Sequence, residues 1–136
     1  MELEYVAEWF QLADLDLASA EYLLGMRPQP LEIICYHCQQ SAEKYHKGYL
    51  VYMSVEAPPR IHNLDTLCEM CSEYDERFQV LKKACNVLTG YSVHVRYPHE
   101  SGVRENDMQK ALEYARQIRD SEPIADVRRE IGKTEK

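Results

Sequence analysis

The chain has 136 residues, 45% of them hydrophobic and 29% charged, which suits one soluble domain with a core of its own. Sixteen Lys and Arg against 23 Asp and Glu leave a formal charge of -7, a balance that argues against a free-standing DNA or RNA binder, because phosphate neutralisation supplies most non-specific affinity. The start, Met1-Glu2-Leu3-Glu4, lacks the pattern of a signal peptide, no apolar run is long enough for a bilayer, and five cysteines fit a reducing cytoplasm, so a cytoplasmic protein with no membrane partner is expected.

Val6, Phe10, Ala13, Leu17, Ala20 and Leu24 follow three- and four-residue steps and predict a first amphipathic helix, stopped by Gly25, Pro28 and Pro30. A second stripe of Ile34, Cys38, Ala42, Tyr45, Tyr49 and Tyr52 predicts a long helix from Pro30 to about Met53. Val55 to Arg60, with Pro58-Pro59, reads as a loop. Asn63 is placed to cap a helix carrying Leu64, Leu67, Cys68 and Cys71. A further helix through Phe78, Leu81, Cys85 and Leu88 is expected to end at Gly90.

Tyr91 to Pro98 alternates, is β-branched or aromatic, and ends on a proline, so an extended connector is expected. The last predicted helix spans about Asn106 to Asp120 on Met108, Ala111, Ala115 and Ile118. Residues 122–136 read as a charged tail that frays or docks on a partner. The expected fold is all-α, an up-down bundle of four to five helices over residues 1–121.

Cys35-x2-Cys38 and Cys68-x2-Cys71 have the internal spacing of zinc ligands. Both pairs fall in helical patterns rather than tight turns, so the expectation is buried, reduced, metal-free thiols. A metal site from His37, His46 and His62 stays open, although scattered histidines are more often surface or capping groups. Neither phosphate-binding glycine loop nor nucleophile elbow occurs, and no cofactor is expected. The ten tyrosines suit a subunit interface, a base-stacking face or a polar-rimmed core.

Four segments carry a family resemblance. Cys35-Tyr36-His37-Cys38-Gln39-Gln40-Ser41-Ala42-Glu43-Lys44-Tyr45-His46-Lys47 resembles the hxxQQxxEKxxK signature of HEPN domains, where h is hydrophobic. His62-Asn63-Leu64 is similar to that family's H-[DN]-L helix entry, and Val95-Arg96-Tyr97-Pro98 to its RYP motif. Ala13-Asp14-Leu15-Asp16-Leu17-Ala18 echoes its first helix.

The resemblance implies a helical bundle that commonly homodimerises. It also implies either a nucleotide ligand or a partner nucleotidyltransferase in a toxin–antitoxin-like pair. Ribonucleases of the family carry an Arg, four to six intervening residues, then a His. Here two residues separate Arg96 from His99, one of them Pro98, so no catalytic residue is assigned. The alternative is a metal-independent endoribonuclease using Arg96 and His99 at a dimer cleft.

Helical spacing sets Gln40, Glu43, Lys44 and Lys47 on one polar ridge. If Arg96 faces that ridge, Glu43 can hold its guanidinium while Lys44 and Lys47 attract phosphate, with Tyr97 beside it. A purely structural Arg96–Glu43 clamp is the competing reading. The candidate nucleotide- or phosphate-binding set is therefore Arg96, Tyr97, Lys44, Lys47, Glu43 and Gln40.

Overall fold

The computed structural model describes residues 2–53, 57–92 and 102–134. Among them lie six α-helices: α1 (Glu2–Tyr22), α2 (Leu31–Tyr52), α3 (Leu64–Tyr74), α4 (Lys82–Leu88), α5 (Glu105–Arg119) and α6 (Glu122–Thr134). The expected all-α bundle is the fold observed.

α1 and α2 form the most extensive helix pair, and α2 also touches α3, α4, α5 and α6, which makes it the central spine. The first stripe buries Val6, Phe10, Ala13, Leu17 and Ala20 against that spine. From α2 come Ile34, Cys38, Ala42, Tyr45 and Tyr49, whereas Tyr52, at the exit of the helix, is exposed. Gly48 sets the spacing between the two helices. A Cβ added there would meet the Phe10 ring at 2.9 Å and Trp9 Cβ at 3.0 Å.

Asn63 caps α3 as its position predicts, its side chain accepting from the Thr66 amide at 3.1 Å. The expected helix through Phe78 and Leu88 is broken into a 3-10 segment (Glu76–Leu81), α4 and a second 3-10 turn (Thr89–Tyr91). Asp75 caps the first of these, accepting from the Arg77 amide at 2.9 Å, and so starts a tight turn where periodicity alone predicts continuity. Most of the expected connector, Val93 to Pro98, lies outside the described residues, as do Val55 and Glu56 of the loop before α3.

The C-terminal segment corrects the sequence reading. Residues 122–134 are not a loose charged tail but α6, whose Ile124, Val127 and Ile131 are buried in the common core. Arg128 binds Asp14 on α1 through both terminal nitrogens at 3.0 Å, and its guanidinium lies 5.5 Å from the Phe10 ring centroid. Arg77 bonds Asp126 at 2.6 Å, joining α6 to the turn after α3. Polar residues outnumber the apolar ones in α6, but the apolar ones share a face.

Candidate functional site

The polar residues of α2 divide between two places. Glu43 and Lys47 are one turn apart and form a buried ion pair, Nζ to Oε2 at 3.0 Å. Gln39, a turn earlier, donates to the other oxygen of Glu43 at 3.0 Å, and the same nitrogen lies 3.4 Å from the His62 carbonyl. Gln40 donates to Gln39 Oε1 at 2.8 Å. His62, just ahead of the α3 cap, brings Nδ1 to 3.0 Å from Glu43 Oε2, and its side chain is 66% exposed. Gln39, Gln40, Glu43, Lys47 and His62 thus form one hydrogen-bonded group that starts in the core and opens to solvent at the imidazole.

Burial pushes the Glu43 carboxyl up. Hydrogen bonds from Gln39, Lys47 and His62 and the Lys47 charge outweigh that, leaving it below its ordinary range. A carboxylate so held requires the proton of His62 on Nδ1, turned inward. The Lys47 charge is already paired, so the described part of the group is close to neutral. It can orient an imidazole and accept hydrogen bonds from a ligand, and its cation is shared with Glu43.

Lys44 does not belong to this group. Its position, about 100° around the helix from Glu43, turns it toward α1. There it pairs with Asp16, which also holds His37 Nδ1 at 3.0 Å. The predicted ridge is therefore split, with Gln40, Glu43 and Lys47 together and Lys44 apart. Arg96, Tyr97 and His99 lie outside the described residues. The candidate set lacks Gln39 and His62, although both stand within the resembling motifs, and Gln39 is one turn ahead of Glu43.

All five cysteines are buried and none is in a disulfide, as the helical patterns predict for burial. Burial pushes the Cys35 and Cys38 thiols up to about 12, so they are inert at neutral pH. Cys68 and Cys85 shift in opposite directions. Hydrogen bonding to Cys85, working against burial, lowers Cys68, and the same hydrogen bond together with burial raises Cys85. His37, His46 and His62 do not converge: His37 is at Asp16, His62 is at Glu43, and His46 is buried beside Cys85.

The HEPN domain family model matches residues 6–124. A crystal structure of TT1696 from Thermus thermophilus is similar in fold, with a TM-score of 0.73 at 24% identity, covering 91% of this chain and 96% of that one. No curated protein sequence matches the chain.

Proposed function

The chain belongs to the HEPN domain family, and from that premise we propose that it is a non-catalytic module that engages a nucleotide, a partner nucleotidyltransferase, or both, in a toxin–antitoxin-like pair. The observation that carries this reading is the group around Glu43. The family-signature residues Gln39, Gln40, Glu43 and Lys47 meet His62 of the second motif in one network that, among the described residues, opens to solvent at the imidazole. A buried ion pair of this kind contributes little net stability compared with an apolar core, which leaves room for a ligand-facing role beside a structural one.

In this reading Arg96 and Tyr97 act with the Glu43 group on one ligand, Arg96 supplying the cation that phosphate needs beyond Lys47, and Tyr97 a ring for the base. Gln40 accepts or donates at its rim. Lys44 falls away from the phosphate and serves α1. The absence of an Arg-x4-6-His spacing supports a binder over the alternative ribonuclease. A homodimer is the proposed assembly, in keeping with the common habit of the family.

The test is calorimetry of wild type and Arg96→Ala with a panel of nucleotides. Stabilisation of the wild type by one nucleotide, lost in the variant without a change in ligand-free melting, supports this reading. A wild type unmoved by every nucleotide leaves only the protein-partner reading, which co-purification with a co-expressed minimal nucleotidyltransferase decides. Metal-independent RNA cleavage, abolished in His99→Ala, overturns the non-catalytic assignment.

A further inference from the structure

A second group of chemistry-bearing side chains lies inside the bundle and plays no part in that reading. His46 of α2, Cys68 of α3 and Cys85 of α4 are each 0–1% exposed, and one donor atom from each falls within 4.8 Å of the others. Cys85 Sγ is 3.5 Å from His46 Nε2. Two ligands of one tetrahedral zinc ion, at bond lengths of about 2.3 Å to sulfur and 2.0–2.1 Å to nitrogen, stand about 3.5–3.8 Å apart. The sulfur–nitrogen separation is therefore already that of a ligated pair.

The imidazole is also oriented for the role. Its Nδ1 lies 2.7 Å from the Ala42 carbonyl, which only accepts, so the ring proton sits on Nδ1 and the Nε2 lone pair faces the sulfurs. Metal-binding histidines are fixed in this way, the distal nitrogen donating to a carbonyl or carboxylate. The Cys71 thiol, one turn along α3, donates to the His46 carbonyl at 3.6 Å and braces the same helix contact.

From this arrangement the geometry points to a buried binding site for a thiophilic d10 divalent cation of the zinc class, ligated by His46, Cys68 and Cys85. Charge selects the divalent ion. Two thiolates and a neutral imidazole carry -2, which a divalent cation cancels, and a buried site tolerates no net charge cheaply. A d10 ion has no directional preference of its own and accepts three protein donors with a fourth small ligand. Each donor comes from a different helix, so the ion would tie α2, α3 and α4 together. The site is neither of the two C-x2-C pairs, since it takes one cysteine from the second pair and none from the first.

The experiment is an optical titration of reduced, chelator-stripped full-length protein with Co2+ as a spectroscopic probe, followed by displacement with Zn2+. The expected result is a thiolate-to-cobalt charge-transfer band saturating at one equivalent per chain, removed by Zn2+, with zinc raising the melting temperature. Cys68→Ser and Cys85→Ser should each weaken uptake at least tenfold, and Cys35→Ser should leave it unchanged. No saturable band at one equivalent, or a band lost in Cys35→Ser, overturns the site. Should the serine variants fail to fold, X-ray absorption of zinc-loaded wild type decides instead. Two sulfurs and one imidazole nitrogen in the first shell support the assignment, and a shell without sulfur refutes it.

Discussion

Lys47 Nζ lies 3.0 Å from Glu43 Oε2, one helical turn away, and both side chains are only 8% exposed. A charge in that position is tolerable only with its partner. Lys47→Met should therefore cost about 3 kcal/mol, because it strands a buried carboxylate. Adding Glu43→Gln to the same chain removes the stranded charge and should restore most of the loss. Urea denaturation of both single variants and the double variant checks this, and additive losses would show that the two charges are solvated separately.

The same carboxylate dictates an acid response. Its folded-state value is below the ordinary 4.5, so it contributes stability that is present above about pH 4.5 and lost as pH falls through the folded value. Glu43→Gln imitates the protonated state, since it keeps hydrogen-bonding capacity and leaves Lys47 unpaired. At neutral pH the variant should be the less stable, and the two stability curves should converge below pH 4.5. Subtracting one curve from the other removes the parallel contributions of Asp75 and Asp120, whose carboxyls are also held low, by Arg77 and Arg119 respectively. A gap that stays constant down to acid unfolding would mean that Glu43 does not titrate in this way.

Where α1 crosses α2, Gly48 is a packing requirement rather than a flexible joint. Alanine gains about 1 kcal/mol of helix propensity, but its Cβ would press on the enclosed Phe10 ring and the Trp9 stem. Overpacking costs about 1–3 kcal/mol. Gly48→Ala should therefore lose stability by about 1 kcal/mol in equilibrium unfolding. A variant more stable than wild type would show that the Phe10 ring yields freely.

Periodicity exposes most of the fold because the buried positions of α1, α2, α3 and α5 recur along their own helices, and Asn63 announces its cap through local chemistry. Long-range partners are a different matter. The spacing of Lys44 places it on α2 beside Glu43, yet its partner Asp16 stands 28 residues earlier on another helix, and only the helix crossing decides which side of a ridge Lys44 joins. His46, Cys68 and Cys85 come from three helices at no motif spacing, so the C-x2-C pairs draw attention to the wrong combination. In α6 the i, i+3, i+7 pattern of Ile124, Val127 and Ile131 is present, but abundant charge around it masks the stripe.

That helix supplies the last prediction. Ile124 is fully buried, so Ile124→Ala should cost about 2–4 kcal/mol, whereas Arg129→Ala, which removes an exposed pair with Asp126, should change stability by under about 0.5 kcal/mol. Ending the chain at Ser121 removes Ile124, Val127 and Ile131 together with the Arg128–Asp14 and Arg77–Asp126 links. It also uncovers the apolar surface of α1 and α2 beneath them. The shortened chain should lose its cooperative thermal transition and its near-ultraviolet circular dichroism, and bind a hydrophobic dye, because secondary structure outlasts specific packing when a core is opened. If α6 were instead a dispensable appendage, the 1–121 fragment would melt cooperatively at the temperature of the full chain, and Ile124→Ala would be as mild as Arg129→Ala. The two substitutions lie five residues apart on one helix, so their difference isolates burial from any general effect on helix formation.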